Sequence, residues 1–342
     1  MPDEPISAPA EPAQGATAGG GTRALNWVGL LERLALPLIW LAVILGLSLA
    51  LPDSYPTWGN FFVIFASFAP SALLAFAIIV PLTADDYDLS VGATLTTSAC
   101  ILGVANVWGG VPIGLAVAAA LAAGILVGLV NAALIVGLRV PSLVATLGTT
   151  SLMTGFVQWL TNSSTIGGIS YGLIDLATGA WFGLPNGFAL VLLVGAVILY
   201  VFDHTPGGRR LLFVGRGREV ARLNGVDVPR VRTLALVASG GLAALGGVLY
   251  TGLLGSADPS SGLNLLLPAF AAAFLGATAI TPGRFNALGT LIAVYFLASG
   301  ITGLTMLGIP LWVTNIFNGG ALIAAVALSL WVRRHAAVDD EA

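Results

Sequence analysis

Long apolar blocks follow one another along the chain, separated by short polar, proline or glycine interruptions. They lie near 34–51, 61–81, 89–108, 112–135, 142–161, 187–202, 233–254, 265–281, 286–304 and 311–332. A helix rises 1.5 Å per residue, so about 20 apolar residues cross roughly 30 Å of hydrocarbon. The pattern predicts an all-α polytopic membrane protein with about ten transmembrane helices. Residues 1–22 are mostly Ala, Pro, Gly, Glu and Thr and carry no apolar core. We expect 1–33 to be a disordered tail and juxtamembrane segment, 34–332 the membrane domain and 333–342 a C-terminal tail. The start of the chain does not read as a signal peptide, because no short apolar stretch and small-residue cleavage site follow a charged beginning.

Composition strengthens this reading. Hydrophobic residues make up 57% of the chain and charged residues 8%, against about 25% charged in soluble domains. The stretches 34–84, 89–202 and 233–332 hold only Asp53, Arg139, Asp175, Asp258 and Arg284 as formal charges. A charge at the centre of a span costs about 2.5–3.5 kcal/mol on insertion scales, so lipid is the solvent of this fold. All 13 basic residues are Arg, which excludes a Walker A loop, whose Lys reaches the nucleotide phosphates. The single Cys100 excludes a disulfide framework and a clustered thiolate metal site. His204 and His335 read as loop residues, and no catalytic constellation is visible.

An even number of spans places both ends on one side. Arg23, Arg33, Arg139, the seven arginines from Arg209 to Arg232, Arg284, Arg333 and Arg334 all fall in loops or tails of one parity. Arginine enrichment marks the cytoplasmic side, so both termini are expected there, with Asp53, Asp175 and Asp258 outside. Gly124 and Gly128, with Gly240, Gly241, Gly246 and Gly247, read as close helix contacts.

Three segments carry candidate chemistry. The first is the inner loop 203–232, in which Gly217–Gly225 reads as a short helix. Val220 and Leu223 share one face of it, Gly225 is a stop, and Pro229 lies beyond. Such a helix is too short to stand alone. Its apolar stripe fits either a partner's groove or, with the arginines, an anchor against anionic headgroups. The second is Asp85-Asp86-Tyr87-Asp88-Leu89-Ser90-Val91-Gly92. A solvated inner turn is the simple account; the alternative is a break between half-helices beside a water-filled cavity. The third is Pro141–Thr150 with Met153, Gly155 and Gln158, where Thr146, Thr149 and Met153 share a face. Helix packing is the plainer reading and a polar pathway the other, its candidate lining being Asp88, Ser90, Thr146, Thr149, Met153 and Gln158. The outer segment 162–186 is amphipathic and suits the membrane surface or a partner.

Taken in order, several pieces resemble the permease subunits of bacterial ABC importers of the ribose, xylose and galactose class. They are Asp88-Leu89-Ser90-Val91-Gly92, Pro141 with Thr146-Leu147-Gly148-Thr149 and Gly155, then Thr205, Gly208, Arg209, Gly215, Ala221 and Gly225. The last are Ser239-Gly240, Gly247, Pro259, Gly276, Gly283 and Gly289-Thr290. The likeness covers about 60–332. It implies a ten-helix permease in a bacterial plasma (inner) membrane, with no catalytic site, cofactor or metal of its own. The implied partners are cytoplasmic ATPase subunits that bind ATP and Mg, a second permease subunit, identical or not, and an extracytoplasmic solute-binding protein; no nucleic acid is involved. It also implies that 217–224 is the helix that seats in the ATPase, with Gly215, Arg218, Glu219, Val220, Ala221, Leu223 and Gly225 as coupling residues.

The expected cargo is a sugar or sugar-like small polar solute; a nucleoside, a branched-chain amino acid or a quorum signal is the alternative. An ion-coupled carrier is disfavoured, because spans three to six hold no charge beyond the interfacial Arg139 and Asp175. The chain departs from the family pattern at Asp85, Asp86 and Tyr87, near Leu266, and over Ala277–Gly283.

Overall fold

A computed structural model describes residues 27–310 and 312–339. The tail expected over 1–22 and the arginine at 23 lie outside the described residues.

Fourteen α-helices make up most of the described chain. They are α1 (Trp27–Ala50), α2 (Trp58–Ser67), α3 (Ala69–Thr83), α4 (Val91–Gly103), α5 (Ile113–Ala132), α6 (Ser142–Thr161) and α7 (Tyr171–Thr178). There follow α8 (Asn186–His204), α9 (Pro206–Arg216), α10 (Arg218–Leu223), α11 (Val228–Leu254), α12 (Ser261–Gly276), α13 (Ala287–Met306) and α14 (Trp312–Asp339). Short π-helical turns, Val104–Trp108 and Ala133–Gly137, extend α4 and α5. Among the described residues, six helical stretches are long and apolar enough to cross a membrane: Arg33–Ala50, Val91–Trp108, Ile113–Gly137, Asn186–His204, Val228–Leu254 and Ala287–Met306. The pair α2 and α3, bent by 43°, makes a seventh if taken as one span. The protein is an all-α polytopic membrane protein.

One expectation is corrected. The block 61–81 is not one helix: the chain breaks at Phe68 between α2 and α3, with a proline, Pro70, in the first turn of α3. Proline has no N–H to continue the preceding ladder, so a bend is its usual consequence. The loop 203–232 holds the short helix expected in it, α10, and a further one, α9, with α8 and α11 reaching into it from either side.

The centre of the bundle is α3, every residue of which from Ala69 to Thr83 is buried. It is apolar all round, as a helix surrounded by helices must be. The neighbours α4, α8, α11, α12 and α13 pack around it. Close approach is bought with missing side chains. A Cβ on Gly240 would collide with the Gly124 carbonyl oxygen where α11 crosses α5, and one on Gly262 with that of Gly92 where α12 meets α4. The expected contacts at Gly124, Gly128, Gly240 and Gly247 are therefore present; Gly241 has only Ile125 nearby, at 3.7 Å.

The arginine-bearing loops meet at one end. The Ile280 amide donates to the Arg33 carbonyl at 3.0 Å, and Arg284 lies 3.8 Å from Asp203 at the end of α8. Arg139, Arg218 and Arg232 line a common cavity there. At the other end Ile166–Gly167 pairs antiparallel with Ser256–Ala257, and Thr165 donates to Asp258.

Candidate functional site

The seven residues between α3 and α4 break the helical path inside the protein rather than in water. Asp85 takes a left-handed backbone (φ 61°) and is exposed, but Asp86 and Asp88 are buried. The expectation of a solvated turn fails for both of them, because each buried carboxylate has found partners on distant helices.

Asp86 is held by two arginines. Arg232, in the first turns of α11, donates from Nε to Oδ2 and from Nη2 to Oδ1, both at 2.7 Å. This is a two-point clamp on a carboxylate, the geometry for which a planar guanidinium is suited. Arg218, the first residue of α10, donates to the same Oδ1 at 3.1 Å and to the Asp85 carbonyl at 2.6 Å. The Asp86 side chain is 2% exposed, that of Arg232 15% and that of Arg218 39%. A charge so desolvated persists only when paired and hydrogen-bonded.

Asp88 anchors a second network, one built of neutral partners. Its Oδ1 accepts from the Ser90 hydroxyl at 2.6 Å and the Ser90 amide at 3.0 Å; its Oδ2 accepts from Ser239 of α11 at 2.8 Å. Asn131 of α5 donates to Ser90 at 2.8 Å and accepts from Thr149 of α6 at 2.8 Å. Burial pushes the Asp88 carboxyl up, while the hydrogen bonds from Ser90 and Ser239 pull it down. Hydroxyls of α6 hold the break from its other flank. Ser142 accepts from the Tyr87 amide at 3.2 Å, Thr146 donates to the Tyr87 carbonyl at 3.3 Å, and Thr150 to the Leu89 carbonyl at 3.2 Å.

The short helix expected over 217–225 is α10. Gly225 terminates it with φ 78°, as expected of a stop. Ala221 is buried against the bundle, whereas Val220 is 55% and Leu223 77% exposed. Glu219 and Arg222 pair with each other on the open side, 2.7 Å apart. Gly215 does not lie on that open face. It lies in the last turn of α9, against the end of α3, where a Cβ would collide with the Thr83 carbonyl oxygen.

Of the expected pathway residues, Asp88, Ser90, Thr146 and Thr149 are therefore brought together around 84–90. Met153 is half-buried further along α6, and Gln158 is exposed, with no side-chain hydrogen bond among the described residues. The sequence names Asp86 and Ser239 within candidate segments but gives neither its partner, and Asn131 and the role of Arg232 emerge only from the structure. Asn131 had a signal, being the only hydrogen-bonding side chain in α5; a lone carboxamide in an apolar span is commonly an interhelical contact. A cavity of about 610 Å³ opens at this end, bordered by Asp85, Asp86, Arg139, Ser142, Arg218 and Arg232. It is open, charged and next to the break.

Comparison with known proteins identifies the family. The family described as "Branched-chain amino acid transport system / permease component" matches residues 60–326. The Autoinducer 2 import system permease protein LsrC of Enterobacter sp. (strain 638) is 32% identical over 284 residues, 83% of this chain and 82% of that protein. LsrC of Salmonella typhi is 30% identical over 291 residues (85% and 83%), and LsrD of Photorhabdus luminescens 31% over 261 (74% and 78%). No solved structure matches. With a family match over most of its length and relatives covered over most of theirs, the chain belongs to this family of transport-system permease components, within the ABC importer class its sequence motifs resemble.

Proposed function

We propose that the chain crosses the bilayer ten times with its arginine-rich end in the cytoplasm, and that α10 seats in a cytoplasmic ATPase that binds the ATP and Mg. The bacterial inner membrane is its proposed location. A second permease subunit and an extracytoplasmic solute-binding protein complete the assembly, and this chain has no ATPase site of its own. In this reading 34–332 is the permease domain, flanked by the tails 1–33 and 333–342. Asp88, Ser90, Thr146 and Thr149 border the solute's path at the break, with Met153 and Gln158 further along α6.

One observation carries the coupling role: two apolar side chains, Val220 and Leu223, stand exposed on a helix whose Ala221 and Arg218 are fixed to the bundle. Burying such a pair in a partner is worth about 1.5–3 kcal/mol per side chain. Val220→Asp or Leu223→Asp is expected to abolish co-purification of the ATPase and ATP-dependent uptake while membrane insertion stays normal. Unchanged co-purification refutes the docking. A reporter fused after Asn162 is expected outside and one after Arg218 inside; the reverse overturns the topology.

The names of the relatives move the cargo from simple sugars to a solute such as autoinducer 2. Uptake of labelled autoinducer 2, with unlabelled ribose, xylose and galactose as competitors, decides it. Strong competition by one of the sugars returns the cargo to that class.

A further inference from the structure

Between α8 and α11, on the outside of the bundle, lies a groove of about 850 Å³. Leu193, Val197 and Val201 form one wall, and Leu234, Ala238 and Gly241 the other. The small residues on α11 open it: Ala238 is exposed, and a Cβ on Gly241 would meet nothing closer than 3.7 Å. At the arginine-rich end Arg210 of α9 and Arg230 of α11 line the mouth together with Asp227. The Asp227 carboxylate is occupied as the cap of α11, accepting the Arg230 amide at 3.0 Å. Among the described residues neither the Arg210 nor the Arg230 guanidinium has an ion-pair partner.

We propose that this groove is a site for an anionic phospholipid of the leaflet on the arginine-rich side, with one acyl chain between α8 and α11 and its phosphate at Arg210 and Arg230. Length supports the fit. From Arg230 to Leu242 α11 rises about 18 Å, close to the roughly 15 Å half-thickness of the hydrocarbon core. Depth and charge also fall in the right order, apolar within the membrane and cationic at headgroup level. Inside a bilayer the hydrophobic effect does not favour a groove over bulk lipid, since tails are as apolar as leucine. Retention and selectivity must therefore come from packing in the groove and from the two guanidinia, which sets the form of the test.

The probe is phosphatidylglycerol carrying a diazirine at mid-chain, compared with phosphatidylcholine of the same chains, on the assembled transporter in nanodiscs. Cross-links mapped by peptide mass spectrometry are expected on α8 and α11 between Leu193 and Leu242, favouring phosphatidylglycerol. R210Q and R230Q are each expected to lower that preference about fivefold. Ala238→Phe, which fills the open groove, is expected to remove both lipids from it while the protein still assembles. Equal labelling by the two lipids, labelling unchanged by Ala238→Phe, or a groove closed by cross-links to another part of this chain or to a second copy would overturn the proposal.

Discussion

Of the three aspartates in the break, Asp86 is the one neutralised by buried charge, and substitutions in its ion-pair cluster are expected to differ in cost. Breaking a buried ion pair from one side is destabilising by about 3–5 kcal/mol, because the other charge stays behind. Arg232→Gln leaves Asp86, only 2% exposed, with Arg218 alone at 3.1 Å. That remaining partner and the 15% exposure of Arg232 reduce the expected cost to about 2–3 kcal/mol. Arg218→Gln removes a half-exposed charge and the bond to the Asp85 carbonyl, so about 1 kcal/mol is expected. Asp85→Asn touches only an exposed contact at 3.7 Å and is expected to cost under about 0.5 kcal/mol. Denaturant titration in mixed micelles gives these values, and a double-mutant cycle of Asp86→Asn with Arg232→Gln should return at least about 1.5 kcal/mol of coupling. A larger cost for Arg218→Gln than for Arg232→Gln, or coupling below about 0.5 kcal/mol, refutes the clamp.

Asp88→Ala takes the acceptor from two buried hydroxyls and an amide and is expected to cost about 1–3 kcal/mol. Asp88→Asn keeps one acceptor and its shape, so its melting temperature in detergent should stay near the parent's while that of Asp88→Ala falls. Gly240→Ala forces α5 and α11 apart and is expected to cost about 1–3 kcal/mol, whereas Gly241→Ala has room and should be neutral by the same measurement.

What the sequence made legible followed from local physics. The apolar blocks, the glycines between α5 and α11 and the short helix α10 each depend on a few neighbouring residues. Other features were present but passed over. Pro70 marked the bend before α3. The start of α9 carries Thr205, whose hydroxyl accepts the Gly208 amide at 3.2 Å, followed by proline; that order is a helix-start signal. The fate of Asp86 was not readable, since its strongest partner stands 146 residues along the chain. A cluster of carboxylates looks the same in sequence whether water or arginine neutralises it. Only the packing of α11 beside the break decides between them.

The two helices before α11 are attached to the bundle in different ways, and the difference bears on how a push on α10 would travel. The last turn of α9 carries Gly215, whose backbone touches that of Thr83 with no room for a side chain, so α9 packs directly against the end of α3. α10 follows Gly217, an extended residue between the two helices, and is tied through Arg218 to the Asp85 carbonyl and the Asp86 carboxylate. A shift of about 1 Å at Arg218 breaks a 2.6 Å hydrogen bond or drags the turn with it. The turn's own attachments run to Ser142, Thr146 and Thr150 on α6, and through Asp88 and Ser90 to Asn131 on α5 and Ser239 on α11. Under the proposed docking, force applied at Val220 and Leu223 therefore reaches a break shared by several membrane helices before it reaches any one of them. Arg218→Gln, mild for stability, should then separate ATP hydrolysis from uptake in the assembled transporter, and tightly coupled uptake in that variant would remove Arg218 from the route.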